Sequence, residues 1–267
     1  MRITKSLRAA VRKILSATLY PEGTVRTILR GPCRGLRYRI FRDYGLSPIY
    51  GGWEPDAQQL MTKYVGPESI AYDLGANYGI HVLLMASRAK YVYAFEPVDD
   101  IRGELQQNIT LNSLTNVEVV PFAVCERTGK QDFVRGSHNG GGHLLERPAP
   151  VLNGHSVDTV SLDDFVFARG NKAPNFIKID VEGAESRVLI GAERVLKTAR
   201  PTILIDLHNP DEDVAVGNIL LENHYTAYRT GKTGQMTLVK DLTKGWPSSE
   251  GVWGQVIAFP IPEARFN

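Results

Sequence analysis

Ile70-Ala71-Tyr72-Asp73-Leu74-Gly75-Ala76-Asn77-Tyr78-Gly79, read together with Tyr91-Val92-Tyr93-Ala94-Phe95-Glu96-Pro97 downstream, decides the fold. The first stretch is an apolar run that reaches Asp73 and enters a turn holding Gly75 and Gly79. Residues 80–89 are apolar almost all round, as a helix buried against a sheet is. The second stretch is a strand that ends in the acid Glu96. Strand, glycine turn, helix, strand and acid form the unit with which an α/β sheet holds a nucleoside. The glycines admit a ligand close to backbone, and the acid accepts hydrogen bonds from ribose hydroxyls.

The turn also discriminates between cofactors. A dinucleotide turn reads G-x-G-x-x-G and sets pyrophosphate on a helix N-terminus. Here Gly75 and Gly79 are the glycines, and Asp73 stands just before them. A carboxylate there repels pyrophosphate but suits a cationic amino-acid tail. S-adenosylmethionine has such an ammonium, together with a sulfonium and no phosphate. It is the cofactor this turn favours, and a nicotinamide dehydrogenase is disfavoured.

Further along, Val117-Glu118-Val119-Val120 reads as a third strand, and Phe176-Ile177-Lys178-Ile179-Asp180 as a fourth. Thr202-Ile203-Leu204-Ile205-Asp206-Leu207 reads as a fifth, and segments through 235–239 and 252–259 as closing strands. Helices are predicted over 56–64, 80–89, 99–111, 184–196 and 211–223. This alternation predicts an α/β fold with a Rossmann-like, doubly wound, seven-stranded and mostly parallel sheet. Between strands three and four, residues 131–135 and 157–161 read as short strands around the loop Ser137-His138-Asn139-Gly140-Gly141-Gly142-His143. That loop is either a substrate contact or a mobile surface segment. Residues 1–60 are expected to form an N-terminal basic helix and a lead-in segment of short strands, and residues 61–267 the Rossmann-like domain.

The chain has 267 residues, 43% hydrophobic and 22% charged, which suits one α/β domain with an extension. A net charge of +2 gives no reason to invoke nucleic acid. No uncharged apolar run approaches the roughly 20 residues that span a bilayer. Cys33 and Cys125 lack metal-type spacing, so a reduced, cytoplasmic setting is expected. Basic residues crowd the N-terminal side: Arg2, Lys5, Arg8, Arg12 and Lys13 lie on a predicted amphipathic helix over 2–19. That helix either packs on the domain with a solvated basic face or makes peripheral contact with an anionic membrane or acidic partner through residues 1–20.

If the topology holds, Asp73, Glu96, Ala123, Asp180 and His208 meet at the carboxyl edge of the sheet, where open α/β sheets bind ligands. Asp73 through Gly79, Ala94-Phe95-Glu96-Pro97, Asn108, Asn112 and Ile177-Lys178-Ile179-Asp180-Val181-Glu182-Gly183-Ala184-Glu185 resemble the FkbM family of class I methyltransferases. Gly52-Trp53-Glu54, Gly191-Ala192, Arg200-Pro201 and Asp206-Leu207-His208 continue the likeness, which runs over about residues 31–260. Asp206 departs toward Asp where the family more often has Glu, and His81 stands where Thr is frequent.

The resemblance implies S-adenosylmethionine-dependent O-methylation of a small-molecule or glycan hydroxyl, on a sugar, glycolipid or secondary metabolite. It implies that Asp73, Gly75, Ala76, Asn77 and Gly79 hold the methionine end of the cofactor. Glu96, followed by Pro97, would take the ribose, Ala123 would border the adenine, and Asp180 would stand near the methyl group. It assigns no base. From chemistry alone, a sugar hydroxyl needs deprotonation, and His208 is the first candidate. Asp180 could orient it or take the proton. With Asp206 or Asn209, Asp180 could instead hold a divalent cation, or these groups could be structural caps. Glu182 is read equally as catalytic or as a helix-dipole partner, and Glu185 as a dipole partner. Lys178 is expected to pair with an acid inside the fold, and Trp53 with Tyr50 to form either an aromatic floor for a sugar or core. The competing function is a non-catalytic cofactor-binding or scaffold protein on the same fold.

Overall fold

The strands and helices stack as an α/β sandwich whose carboxyl edge is set by five parallel strands. The computed structural model describes residues 21–42, 44–135, 142–144, 154–231, 234–246 and 248–262. The predicted basic helix over 2–19 therefore lies outside the described residues, as do His138 and Asn139; of His143, only the backbone is described.

Chain order begins with a small antiparallel pair, β1 (Val25–Thr27) and β2 (Arg37–Arg39), followed by helix α1 (Pro55–Tyr64). Then come β3 (Ile70–Leu74), α2 (Ile80–Ala86), β4 (Tyr91–Phe95), α3 (Asp99–Leu111) and β5 (Val117–Val120). A second, four-stranded sheet is built from β6 (Ala123–Val124), β7 (Gly129–Arg135), β8 (Gly142–Leu144) and β9 (Gly154–Val160). The chain returns with β10 (Phe176–Ile179), α4 (Glu185–Ile190), α5 (Glu193–Thr198), β11 (Thr202–Asp206) and α6 (Pro210–Glu222). It closes with β12 (Tyr225–Gly231), β13 (Gln235–Leu238) and β14 (Gln255–Pro260).

The main sheet has eight strands in the order β13-β12-β14-β11-β10-β3-β4-β5, which corrects the expected seven-stranded, mostly parallel sheet to a mixed one. Strands β11, β10, β3, β4 and β5 pair in parallel, whereas β14, β12 and β13 pair antiparallel. The link from β12 to β13 is too short for a crossover helix, so the chain folds straight back and adds an antiparallel edge strand.

Along the strands, side chains alternate between two cores. Ala71, Val92, Ala94, Phe176 and Leu204 face one cluster with α1, α2 and α3. Tyr72, Leu74, Tyr93, Phe95, Ile177 and Ile203 face the other, with α4, α5 and α6. Ile28, Tyr38, Ile40 and Phe41 of the lead-in segment belong to the first cluster, so that segment shares the core of the domain.

Two asparagines hold it there. Asn112 accepts from the Arg37 N–H and donates to the Arg37 carbonyl, both at 2.8 Å. Asn108, fully buried, accepts from Arg39 N–H at 3.0 Å and donates to the Tyr78 carbonyl at 2.9 Å. These two amides, one turn apart on α3, take the place of a neighbouring strand for the outer edge of β2.

The single helix expected over 184–196 is two helices. A Cβ on Gly191 would lie 2.3 Å from the Cys125 carbonyl oxygen, so the chain bends there against β6. The helix restarts because the Asp163 carboxylate accepts from Arg194 N–H and Val195 N–H, each at 2.9 Å.

Candidate active site

Beyond the carboxyl ends of β3, β4, β10 and β11 lies a cavity of about 730 Å³. Gly75, Ala76, Asn77, Gly79, Glu96, Pro97, Ala123, Asp180, Glu182 and His208 all line it. Asp73 does not; it is buried beneath the turn, next to Lys178 in the β3–β10 register.

The turn brings backbone from two strands into contact. Gly75 has φ +85°, and a Cβ there would sit 2.0 Å from the Asp180 carbonyl oxygen. Only glycine lets the end of β3 cross that close to the end of β10. Glu96 then turns back on the loops around it. One carboxylate oxygen accepts from Asn77 N–H at 3.0 Å and the other from Val98 N–H at 2.9 Å. Burial outweighs these bonds and pushes its pKa up to about 7. Val98, Ile101, Phe122, Phe133 and Leu144 give that end of the cavity apolar walls.

At the other end, Lys178 is the electrostatic hub. It is 1% exposed, and its ammonium donates to Asp180 Oδ2 at 2.8 Å and lies 4.0 Å from Asp206 Oδ2. Burial acts to lower its pKa, but the carboxylates of Asp180, Asp73, Glu54 and Asp206 hold it above the ordinary lysine value. Burial acts equally to raise Asp180, where the Lys178 ammonium wins and keeps the carboxyl below its usual range. The others go the opposite way: burial pushes Asp73 up to about 6 and Glu54 up to about 7, and raises Asp206. Both Asp73 oxygens and Asp206 Oδ2 are buried without a hydrogen-bond partner among the described residues. Four acids around one ammonium make this end of the cavity suited to a cation.

His208 joins this group from the end of β11. Its Nδ1 lies 2.8 Å from Glu185 Oε1, and its Nε2 lies 3.5 Å from Asp180 Oδ1 and 3.6 Å from Glu182 Oε2. Burial alone would lower its pKa, but the Glu185 bond with the Asp180 and Glu182 charges pushes it up to about 9. The imidazole expected from the sequence to be neutral near pH 7 is therefore an imidazolium there. Glu182 sits at φ +56°, a left-handed backbone that aims the loop between β10 and α4 across the cavity.

Asp180, Glu182 and His208, and separately Glu54, Asp180 and Asp206, bring ligand-type atoms within 4.8 Å of one another. Each set already includes or touches a cation of the protein, the His208 imidazolium or the Lys178 ammonium. Asn209, considered with Asp180 as a cation ligand, instead caps α6 by accepting from Glu212 N–H at 2.9 Å.

Several lining residues had no role in the sequence reading. Glu54 reaches the cavity from the lead-in segment at φ +38°, 3.5 Å from Nε2 of the buried His81. Burial pushes His81 down to about 3, so it is neutral. Trp53 lines the cavity stacked on Tyr44 with ring centroids 3.8 Å apart, whereas Tyr50 is 50% exposed and outside the lining. Tyr44 thus stands where Tyr50 was expected. The only sequence signal for it is its aromatic character nine residues before Trp53, which spacing alone does not convert into contact.

His81 and Asp180 are shifted down, and other groups are shifted up. Asp73, Glu54, Glu96 and His208 all have folded pKa values raised above their ordinary ones. Each contributes stability below its ordinary value and loses it as pH rises through the folded value. His81, lowered to about 3, opposes this up to about its ordinary value, so the melting temperature of the ligand-free protein is expected to fall between about pH 7 and about pH 9. Calorimetric melts that rise across that window would contradict the assignment.

The fold and this cavity define an α/β protein with a strand-end acid and a charged cluster at one sheet edge. Residues 73–243 match the Methyltransferase FkbM domain, and the chain belongs to that methyltransferase family. It is 27% identical over 179 residues to the hexuronic acid methyltransferase AglP of Haloferax volcanii, covering 63% of this chain and 68% of AglP. It is 26% identical over 160 residues to the 2-O-methyltransferase NoeI of Sinorhizobium fredii, covering 54% of this chain and 65% of NoeI. A solved structure of methyltransferase FkbM from Methylobacillus flagellatus superposes with a TM-score of 0.48 at 18% identity, over 76% of this chain and 50% of that one. No helix among the described residues is long and apolar enough to cross a membrane.

Proposed function

We infer that this protein is an S-adenosylmethionine-dependent O-methyltransferase acting on a hydroxyl of a sugar, glycolipid or secondary metabolite. One observation carries the reading: Glu96 and the Asp180–His208 group, contributed by distant parts of the chain, line a single cavity. The residues present fit the cofactor. Acids at 54, 73, 180 and 206 outnumber the ammonium among them, which suits the ammonium and sulfonium of the methionine end. The apolar end around Phe133 and Leu144 suits a purine. Each Glu96 carboxylate oxygen takes one backbone bond and keeps a further lone pair for ribose hydroxyls.

When bound, the cofactor supplies an electrophilic methyl group for in-line displacement. The chain's own work is to align the acceptor oxygen with that methyl group and to remove the hydroxyl proton. His208 Nε2 is the nitrogen on the cavity side and takes that proton once its own has been lost. Asp180, fixed by Lys178, stays ionised and keeps the resulting imidazolium in place. Glu182 supplies a second carboxylate to the same nitrogen. Trp53 and Tyr44 offer a stacked aromatic face against which a sugar ring can lie.

The relatives AglP and NoeI carry names of methyltransferases, one of them of a hexuronic acid, which supports methyl transfer to a hydroxylated acceptor. Titration calorimetry with S-adenosylmethionine and S-adenosylhomocysteine tests the reading. Saturable binding of both is expected at or below about millimolar concentration. No heat at that level would end the proposal. Retained binding with no product from a broad acceptor panel would favour the scaffold alternative.

A further inference from the structure

The methyl-transfer reading leaves Glu185 without a task, yet it is 0% exposed and touches His208. As the first residue of α4, it fits a dipole partner, and its Oε1 does accept from Gly183 N–H at 3.0 Å. The same oxygen also meets His208 Nδ1 at 2.8 Å. We propose that Glu185 is a positioning residue that keeps the His208 proton on Nδ1, so that Nε2 is the ring nitrogen bared to the acceptor.

Distances decide between the two ring nitrogens. The 2.8 Å contact at Nδ1 is a hydrogen bond, and Glu185 Oε1 already acts as an acceptor toward Gly183 N–H, so Nδ1 is the side that carries the hydrogen. Nε2 stands 3.5 Å and 3.6 Å from Asp180 and Glu182, too far for a comparable bond. When the imidazolium loses one proton, the weaker-held one on Nε2 goes. Removing the other would cost the buried Glu185 carboxylate its bond from the ring and leave it only Gly183 N–H.

The charged groups facing the ring are Glu185 on α4, Glu182 on the preceding loop, Asp180 and Lys178 from β10, and Asp206 at the end of β11. Glu185 is the nearest of them to a ring nitrogen. Its own place is rigid, because Glu212 of α6 accepts from Ser186 N–H at 2.6 Å and from Ser186 Oγ at 3.1 Å. Two packed helices thus fix the carboxylate that fixes the ring.

This inference rests on the methyl-transfer reading for its purpose but not for its test. Nitrogen-15 spectra of histidine-labelled, ligand-free protein, taken above the His208 midpoint of about 9, report which ring nitrogen holds the proton. Comparison with His208→Ala assigns the resonances. In the wild type, Nδ1 is expected to show the protonated shift and Nε2 the bare one. Glu185→Gln, whose amide oxygen still accepts both bonds, is expected to keep this pattern with a lower His208 midpoint. Glu185→Ala is expected to lose it, giving the averaged shifts of a free imidazole. A wild-type ring protonated on Nε2, or a pattern unchanged in Glu185→Ala, overturns the proposal. If Glu185→Ala does not fold, the wild-type pattern and the midpoint shift in Glu185→Gln decide. Failure of cofactor binding in calorimetry would sink the methyl-transfer reading and leave these spectra interpretable.

Discussion

Replacing Lys178 with methionine is expected to lower the melting temperature by on the order of 10 °C at pH 8, and by clearly less at pH 5. Lys178 is buried, 2.8 Å from Asp180, with Asp206, Asp73 and Glu54 also acting on its charge. Methionine keeps the apolar stem but leaves the buried Asp73 and the half-buried Asp180, Asp206 and Glu54 facing one another with no cation between them. Breaking a buried ion pair from one side costs about 3–5 kcal/mol, because the partner stays charged and dry. Lower pH lets those acids take up protons, so the loss should shrink. Thermal melts of both proteins at the two pH values check this. A shift of a degree or two at pH 8, or equal shifts at both, would mean that the acids are solvated and the hub is not one.

Methyl transfer itself should have an alkaline optimum. With His208 titrating at about 9, roughly one molecule in a hundred carries it neutral at pH 7. A raised folded value means the proton is held, so the base is absent below the midpoint and present above it. On the proposed reading, a cationic cofactor beside Asp180 would oppose the imidazolium and move the acid limb to between about pH 7 and 9. Turnover at saturating cofactor is expected to rise about tenfold per pH unit below that limb. His208→Ala should remove the limb and cost about 10²- to 10⁴-fold in kcat at the optimum. A profile that is flat in the wild type, or a limb that survives in His208→Ala, assigns the proton to another group, with Glu182 next in place.

Much of this was legible in the chain. The run from Ile70 to Gly79 and the strand to Glu96 specify local geometry: hydrophobic stretches of strand length, a glycine where φ is positive, and an acid at a strand end. Local rules suffice for such features, and β3, β4, α3 and β5 fall where they were expected. The bend at Gly191 was not legible, because it depends on the Cys125 carbonyl arriving from β6. Nor was the edge strand β13, whose partner choice is a matter of how the last hairpin lies on β14. Asn108 and Asn112 were visible as a motif, but their work of holding β2 appears only when residues about seventy positions apart meet.

The site divides in the same way. Sequence by itself carried the proposed class of ligand, since a glycine turn flanked by Asp73 and answered by Glu96 is a local chemical statement. It also put Asp180 and His208 at strand ends on one edge, because parallel strands joined by right-handed crossovers share their direction. What only the tertiary structure decided is the state of those groups. That Lys178 is shared by four acids, that Glu185 reaches His208, that Glu54 and Tyr44 enter from the lead-in segment, and that His208 holds its proton to about 9 all follow from distances between remote residues. Charge interactions and desolvation depend on separation and burial in space, and neither quantity is encoded in the order of residues along a strand.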